Sequence, residues 1–129
     1  MKKIIVEGQV CVGPNFSKGE IAYIKKNLKE VKGLETLSNL FEVSGNIQRL
    51  KILYILNVFD EMCVCDIAEV LEISDSAVSQ HIRKMKDSNI LKSRRSAQTI
   101  FYSVQDNMFI KKLSAILDSK EIKEKYAFI

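Results

Sequence analysis

From Ile21 to Leu56 apolar side chains recur every three or four positions, the period of a helix. Ser17 followed by Glu20 is a capping-box pattern, and Ile21, Ile24, Leu28 and Val31 continue from it, predicting a helix to about Lys32 before Gly33. Leu34, Leu37, Leu40 and Phe41 form a second stripe, which stops at Ser44-Gly45. Asn46 can cap a third helix with Ile47, Leu50, Leu53 and Leu56 facing inward. Ahead of these helices, residues 1 to 16 carry Gly8, Cys11, Gly13 and Pro14 with no helical period, so an extended arm ending in the turn Gly13-Pro14-Asn15 is expected.

After the acidic break Asp60-Glu61 the elements shorten. Ile67, Ala68 and Leu71 mark one face of a segment from about Val64 to Leu71, and Glu72-Ile73-Ser74 separates it from another helix. That helix runs from Asp75 to about Ser88, with Ser74 as N-cap and Val78, Ile82 and Met85 as its buried stripe. Two short helices joined by so tight a turn predict a helix-turn-helix. The pattern then changes to β-prone residues: Ile100 to Val104 follow the polar tip Ser96-Ala97-Gln98, which predicts a two-stranded hairpin within Ile90–Val104, a wing. A last helix, about Asn107 to Asp118, lines up Met108, Phe109, Leu113, Ile116 and Leu117, more apolar surface than a terminal helix needs unless a second subunit covers it. The expected fold is therefore mainly α with a β-hairpin wing (α+β). It is a winged helix-turn-helix over residues 64 to 104, dimerising through N- and C-terminal helices. Its expected parts are an arm (1–16), the DNA-binding domain with its dimerisation helices (17–118) and a tail (119–129).

A chain of 129 residues has room for one ordinary hydrophobic core. With 47% hydrophobic and 28% charged residues it has the balance of a folded, soluble protein. No apolar stretch approaches the roughly 20 residues of a membrane span and the start Met1 to Glu7 lacks the form of a signal peptide, so a cytoplasmic protein without membrane partners is expected. The net charge of +4 permits nucleic acid as a partner without requiring it. Placement decides: opposite the buried stripe, the helix from Asp75 carries Ser76, Ser79, Gln80, Arg83 and Asp87 as one hydrogen-bonding strip. Short hydroxyls, Gln and Arg are the side chains that read base edges in a major groove. Lys84, Arg94, Arg95 and, at the wing tip, Gln98 are candidate partners for the DNA backbone, as are Lys86 and Lys92. The alternative for each residue is a solvated face. The single histidine, His81, at the edge of this strip, is given no chemical role.

Three cysteines without an export signal are thiols, metal ligands or redox groups sooner than a disulfide framework. Cys63 and Cys65 stand at the start of the first helix of the motif. Inside a helix, residues i and i+2 point about 200° apart, so the two can share an ion only if Cys63 lies just outside it and Cys65 in its first turn. A helix start also favours thiolates. Cys11 is the remaining cysteine that could complete a three-sulfur site, which would suit a soft guest. The competing reading makes Cys63 and Cys65 small apolar residues at a helix start.

Several segments together resemble the ArsR/SmtB family of metal-responsive winged-helix repressors, over about Leu34 to Leu117. Arg49-Leu50-Lys51-Ile52-Leu53 is similar to a helix signature of the family, and Cys63-Val64-Cys65-Asp66-Ile67-Ala68 to its cysteine box. Ser79-Gln80-His81-Ile82, Arg94-Arg95 and Ile100-Phe101-Tyr102 are similar to its recognition helix and wing. The resemblance implies a homodimer that occupies double-stranded operator DNA with no cofactor and releases it when an inducer ion, As(III), Cd(II), Pb(II) or Hg(II), binds the cysteines. This chain departs from the pattern in four places. Ala68 stands where arsenite sensors often have a third cysteine, and the arm offers Cys11 alone where cadmium and lead sensors offer two. The terminal helices have Asp106, Glu121 and Glu124 but no histidine, which disfavours zinc or nickel there, and the wing tip has no glycine. A regulator of the same fold with a thiol redox switch, Cys11 resolving a sulfenic acid at Cys63 or Cys65, is the alternative. An enzyme is disfavoured because no phosphate-cradling glycine loop or nucleophile–base pair is visible. A protein-interaction module would differ by lacking salt-sensitive affinity for DNA.

Overall fold

The computed structural model describes residues 1–118, and the expected tail at 119–129, with Glu121 and Glu124, lies outside them. The chain forms two compact units, Met1–Thr36 and the remainder from Leu37.

In the first unit the expected extended arm is a hairpin. Strands β1 (Lys2–Val6) and β2 (Gln9–Gly13) pair antiparallel with Ile4 opposite Cys11. Glu7 and Gly8, both at positive φ (51° and 77°), make the two-residue turn, the geometry whose twist matches that of paired strands. Helix α1 (Lys18–Glu30) starts at the expected capping box, Ser17 Oγ accepting from the Glu20 amide (3.1 Å) and Glu20 accepting from the Ser17 amide (3.0 Å). Nothing in α1 is buried: Ile24 and Leu28, which keep the predicted helical spacing, and Val31 just beyond the helix are exposed.

Helix α2 (Leu34–Ser44) leads into the second unit and buries only its last two residues, Val43 and Ser44. Leu37 and Phe41 stay exposed on its outer face. Helix α3 (Ile47–Phe59) begins where Asn46 Oδ1 accepts from the amides of Gln48 and Arg49. It runs through the middle of the unit, packing on three other helices and a strand, so its buried face is broad: Ile52, Leu53, Ile55 and Leu56. Ile47, expected to face inward, is 63% exposed and lines an open surface groove with Leu50, Lys51 and Tyr54. Helices α4 (Val64–Leu71) and α5 (Asp75–Asp87) follow, then β3 (Leu91–Ser96) and β4 (Thr99–Val104) as an antiparallel hairpin, then α6 (Met108–Leu117), capped by Asn107.

One core joins these pieces. Ile52 and Leu56 of α3, Ile67 of α4, Val78 and Met85 of α5 and Ile90-Leu91 at the start of the hairpin are each 1% exposed or less. The stripe predicted for α5 is buried in full, with Ile82 at 2%. Among the described residues the architecture is a winged helix-turn-helix of six helices with a two-stranded wing. Phe41 of α2 meets Phe109 of α6 edge to face at 5.4 Å. Around this contact Leu37, Met108 and Ile116 remain exposed.

Candidate nucleic-acid interface

Helix α4 ends because Glu72 turns left-handed (φ 57°, ψ 41°), its amide bonding the carbonyls of Ala68 and Glu69. Two residues later Ser74 restarts the chain as a helix by accepting from the Ala77 amide (3.1 Å). With Val78, Ile82 and Met85 fixed in the core, α5 turns Ser76, Ser79, Gln80, Arg83 and Lys84 to solvent, all exposed. None of these five donates or accepts a side-chain hydrogen bond among the described residues, so the strip is unspent hydrogen-bonding capacity. Lys84 and Lys86 sit in the last turn, where cations complement the helix dipole.

Two contacts fix α5 against its neighbours. Arg49 on α3 donates from Nε to His81 Nδ1 (3.2 Å) and from Nη1 to the Val43 carbonyl (3.0 Å). As the acceptor, His81 is held neutral at that nitrogen. Burial first, then the positive charges of Arg49 and Lys84, push its pKa below the ordinary histidine value. Toward the wing, Lys86 Nζ donates to Ser93 Oγ (3.0 Å) and lies 5.9 Å from the centre of the Tyr102 ring.

The wing pairs Leu91↔Val104 through Ser96↔Thr99, leaving Ala97-Gln98 as the turn. Ala97 adopts a positive φ of 55° where a glycine would sit without strain. Arg95 folds back on this tip, Nε donating to the Ala97 carbonyl (3.2 Å), and Gln98 is exposed beside it. Arg94 is differently engaged. Its guanidinium stands 4.9 Å from the centre of the Phe101 ring and grips the Glu61 carboxylate with two hydrogen bonds, Nε to Oε2 at 2.8 Å and Nη2 to Oε1. The pair lowers the carboxyl pKa of Glu61 and raises that of Arg94. Next to Glu61, Met62 exchanges both backbone hydrogen bonds with Tyr102 (3.1 and 2.9 Å), adding a single-residue third strand to the wing.

That strand runs straight into the cysteines. Cys63 is the N-cap of α4, extended at φ −86°, ψ 166°, and Cys65 is the second residue of the helix. The first thiol therefore lies outside the helix and the second within its first turn. Cys63 is half-buried and Cys65 exposed. The Cys63 side chain makes no capping hydrogen bond, although Ser, Thr, Asp or Asn at this position would contribute about 1 kcal/mol. A residue that forgoes its local structural role is a mark of a functional position. Within residues 37–118 no three His, Cys, Asp or Glu side chains are gathered as an ion site. The pair thus offers two sulfurs from its own unit. Cys11, exposed on β2, belongs to the first unit.

Sequence reasoning had singled out neither Arg49 and His81 as a clamp nor Glu61 as a partner of the wing. Each contact joins residues more than 30 positions apart, and no local pattern encodes such a pairing.

Residues 47–93 match the bacterial regulatory protein, arsR family. Over 115 residues the chain is 32% identical to the cadmium resistance transcriptional regulatory protein CadC homolog of Staphylococcus aureus, covering 88% of this chain and 93% of that one. Among solved structures, HlyU from Vibrio cholerae N16961 is similar at a TM-score of 0.60 and 27% identity, covering 74% of this chain and 97% of its own. The transcriptional repressor PagR of Bacillus anthracis is similar at 0.60 and 30%, covering 67% and 97%. On the winged helix-turn-helix and these likenesses together, the chain belongs to the ArsR/SmtB family of bacterial DNA-binding transcriptional regulators, which are not enzymes.

Proposed function

We propose that this protein is a homodimeric repressor of the bacterial cytoplasm that holds operator DNA when reduced and ion-free and releases it when a soft metal ion or metalloid engages its cysteines. The observation that carries the reading is that one helix-turn-helix bears both ends of the switch. Cys63 and Cys65 stand at the start of its first helix and the unpaired strip of its second faces solvent. Ser76, Ser79, Gln80 and Arg83 read base edges in the major groove, while Lys84, Arg94, Arg95 and Gln98 meet the backbone. The exposed apolar faces of α2 and α6, around Phe41, Met108 and Ile116, meet their counterparts in the second subunit.

Cys63 and Cys65 supply two thiolates and Cys11 the third. A donor set of sulfur favours Cd(II), Pb(II), Hg(II) or As(III) over hard cations, and the name of the Staphylococcus aureus relative supports cadmium among them. When bound, such an ion supplies a cross-link between sulfurs. Cys63 and Cys65 must then hold one geometry at the start of α4, which is packed directly on α5. Coupling of this kind is reciprocal, so DNA weakens ion binding by the factor, commonly 5- to 150-fold, by which the ion weakens DNA binding.

The test is a titration of reduced protein with As(III), Cd(II), Pb(II), Hg(II) and Zn(II), followed by thiolate charge-transfer absorption. The Cys11→Ser, Cys63→Ser and Cys65→Ser variants run alongside, and DNA affinity is measured on the same samples. Tight binding that weakens in all three variants and lowers DNA affinity is the expected result. Ion binding that leaves DNA affinity unchanged would overturn the mechanism. Release of DNA by peroxide without any ion would replace it with the redox switch.

A further inference from the structure

Two adjacent wing arginines differ in what they hold. Arg95 spends one N–H on its own tip and meets no carboxylate among the described residues, whereas Arg94 presents its forked edge to Glu61 through Nε and Nη2. A carboxylate and a phosphate make the same bidentate demand on a guanidinium, so the edge that Glu61 occupies is the edge a DNA phosphate would take. We propose that Glu61 is an internal competitor for Arg94, displaced by a DNA phosphate when the wing engages, so that the wing's grip on DNA is linked to the segment that carries Cys63. The inference rests on the DNA-binding reading given above.

The surroundings suit an exchange. The Arg94 and Glu61 side chains are 57% and 34% exposed, so a phosphate can reach them, and an ion pair this open to water is weak enough to be replaced. Phe101 supports the guanidinium from beneath at 4.9 Å, which keeps it in place while its partner changes. The carboxylate has less freedom. Glu61 follows Asp60 at φ 67° and precedes Met62, whose backbone is paired with Tyr102. Its own amide is tied to the Phe59 carbonyl (2.8 Å). A negative charge left beside an incoming phosphate repels it. The Glu61 side chain must therefore swing away, or the segment 61–63 must shift, and the last residue of that segment is the N-cap of α4. Glu61 acts here through Arg94 and is a positioning residue with no DNA contact of its own.

The experiment measures the affinity of the full chain for a fluorescein-labelled random-sequence duplex across a range of KCl concentrations, by anisotropy. It compares wild type, Glu61→Gln, Glu61→Asp, Arg94→Gln and the Glu61→Gln/Arg94→Gln double variant, each checked for folding by circular dichroism. In both proteins Arg94 meets one phosphate in the complex, but only the wild type must first give up its pair with Glu61. Glu61→Gln is therefore expected to tighten binding roughly 3- to 10-fold at a given salt concentration, with a log–log salt slope close to that of wild type because the number of phosphates neutralised is the same. Glu61→Asp keeps the charge on a shorter stem that cannot make the paired contact, and it should tighten binding in the same direction. In the Arg94→Gln background the effect of Glu61→Gln should vanish. An unchanged affinity in Glu61→Gln, or an equal gain in the Arg94→Gln background, would overturn the competition, since in the second case Glu61 would be one more negative charge near DNA. Absence of salt-dependent affinity in the wild type would overturn the DNA-binding reading and this inference with it, whereas normal wild-type binding with a silent Glu61→Gln overturns the inference alone.

Discussion

Arg49 ties helix α5 laterally to its neighbours. It lies half-buried on α3, and its guanidinium ties two other elements at once, donating to His81 Nδ1 on α5 at 3.2 Å and to the Val43 carbonyl in the last turn of α2 at 3.0 Å. That carbonyl is one of the four that a helix leaves without an internal partner at its C-terminal end. Replacing Arg49 by Met keeps the apolar stem and removes both bonds. A hydrogen bond from a charged donor contributes about 1.5–3 kcal/mol, and partial exposure argues for the lower end, so the two together come to about 3 kcal/mol. At about 4–8 °C per kcal/mol for a domain of this size, the midpoint of thermal unfolding should fall by about 10 °C or more. Urea unfolding at fixed protein concentration measures the free energy, the fixed concentration being needed because the proposed subunit association would add to apparent stability. DNA affinity should fall as well, because α5 keeps its core stripe but loses the lateral tie that sets its angle. A variant within about 0.5 kcal/mol of wild type and equal to it in DNA affinity would refute this account of how α5 is held.

His81 has its pKa lowered from 6.5, first by burial and then by Arg49 and Lys84. Its neutral form therefore favours the fold, and the corresponding stability is complete above about pH 6.5 and is lost as pH falls through the lowered value. A His81→Gln variant, whose amide oxygen accepts from Arg49 at any pH, should show a flatter decline in urea midpoint below pH 6.5. For the reading strip, Gln80→Ala should relax sequence preference at one base position by about 1–3 kcal/mol, while Lys84→Ala should weaken all duplexes alike and reduce the salt slope by about 1. A panel of single-base operator variants distinguishes the two. Cys63→Ser, by restoring a capping hydroxyl, should stabilise the apoprotein by about 1 kcal/mol, so its loss of ion binding in the titration would not be a loss of folding. Ala97→Gly relieves a left-handed residue at the wing tip and should stabilise the protein by up to about 1 kcal/mol, read as a rise in urea midpoint.

Legibility in the sequence followed the range of the interactions. Helices α4 and α5 could be bounded almost to the residue because their signals are local: Ser74 caps the amide of Ala77, and Val78, Ile82 and Met85 repeat at helical spacing. The first hairpin escaped notice because its turn is Glu7-Gly8 rather than an Asn-Gly or Asp-Gly pair, and its strands have no core of their own to impose an inside and an outside. Ile47 read as inward-facing, and the spacing of Ile24 and Leu28 gave no sign of their exposure, because periodicity reports that a helix has an apolar face, not that anything in the same chain covers it. The strip on α5 and the cysteine pair were visible as residue types at meaningful spacings. The ties that connect them, Arg49 to His81, Lys86 to Ser93 and Glu61 to Arg94, join distant elements and arise only from the packing.

The idle N-cap at Cys63 has an evolutionary consequence. The core is anchored by Ile67 and Ala68, one turn further along α4, so residues 63 and 65 can drift without eroding the fold, and some replacements at 63 would even strengthen it. Under the sensing role proposed above, a lineage that loses its exposure to one inducer ion can exchange these two side chains and acquire another signal while inheriting its DNA-binding helices unaltered. Selection for sensing would then act on positions that selection for stability leaves vacant.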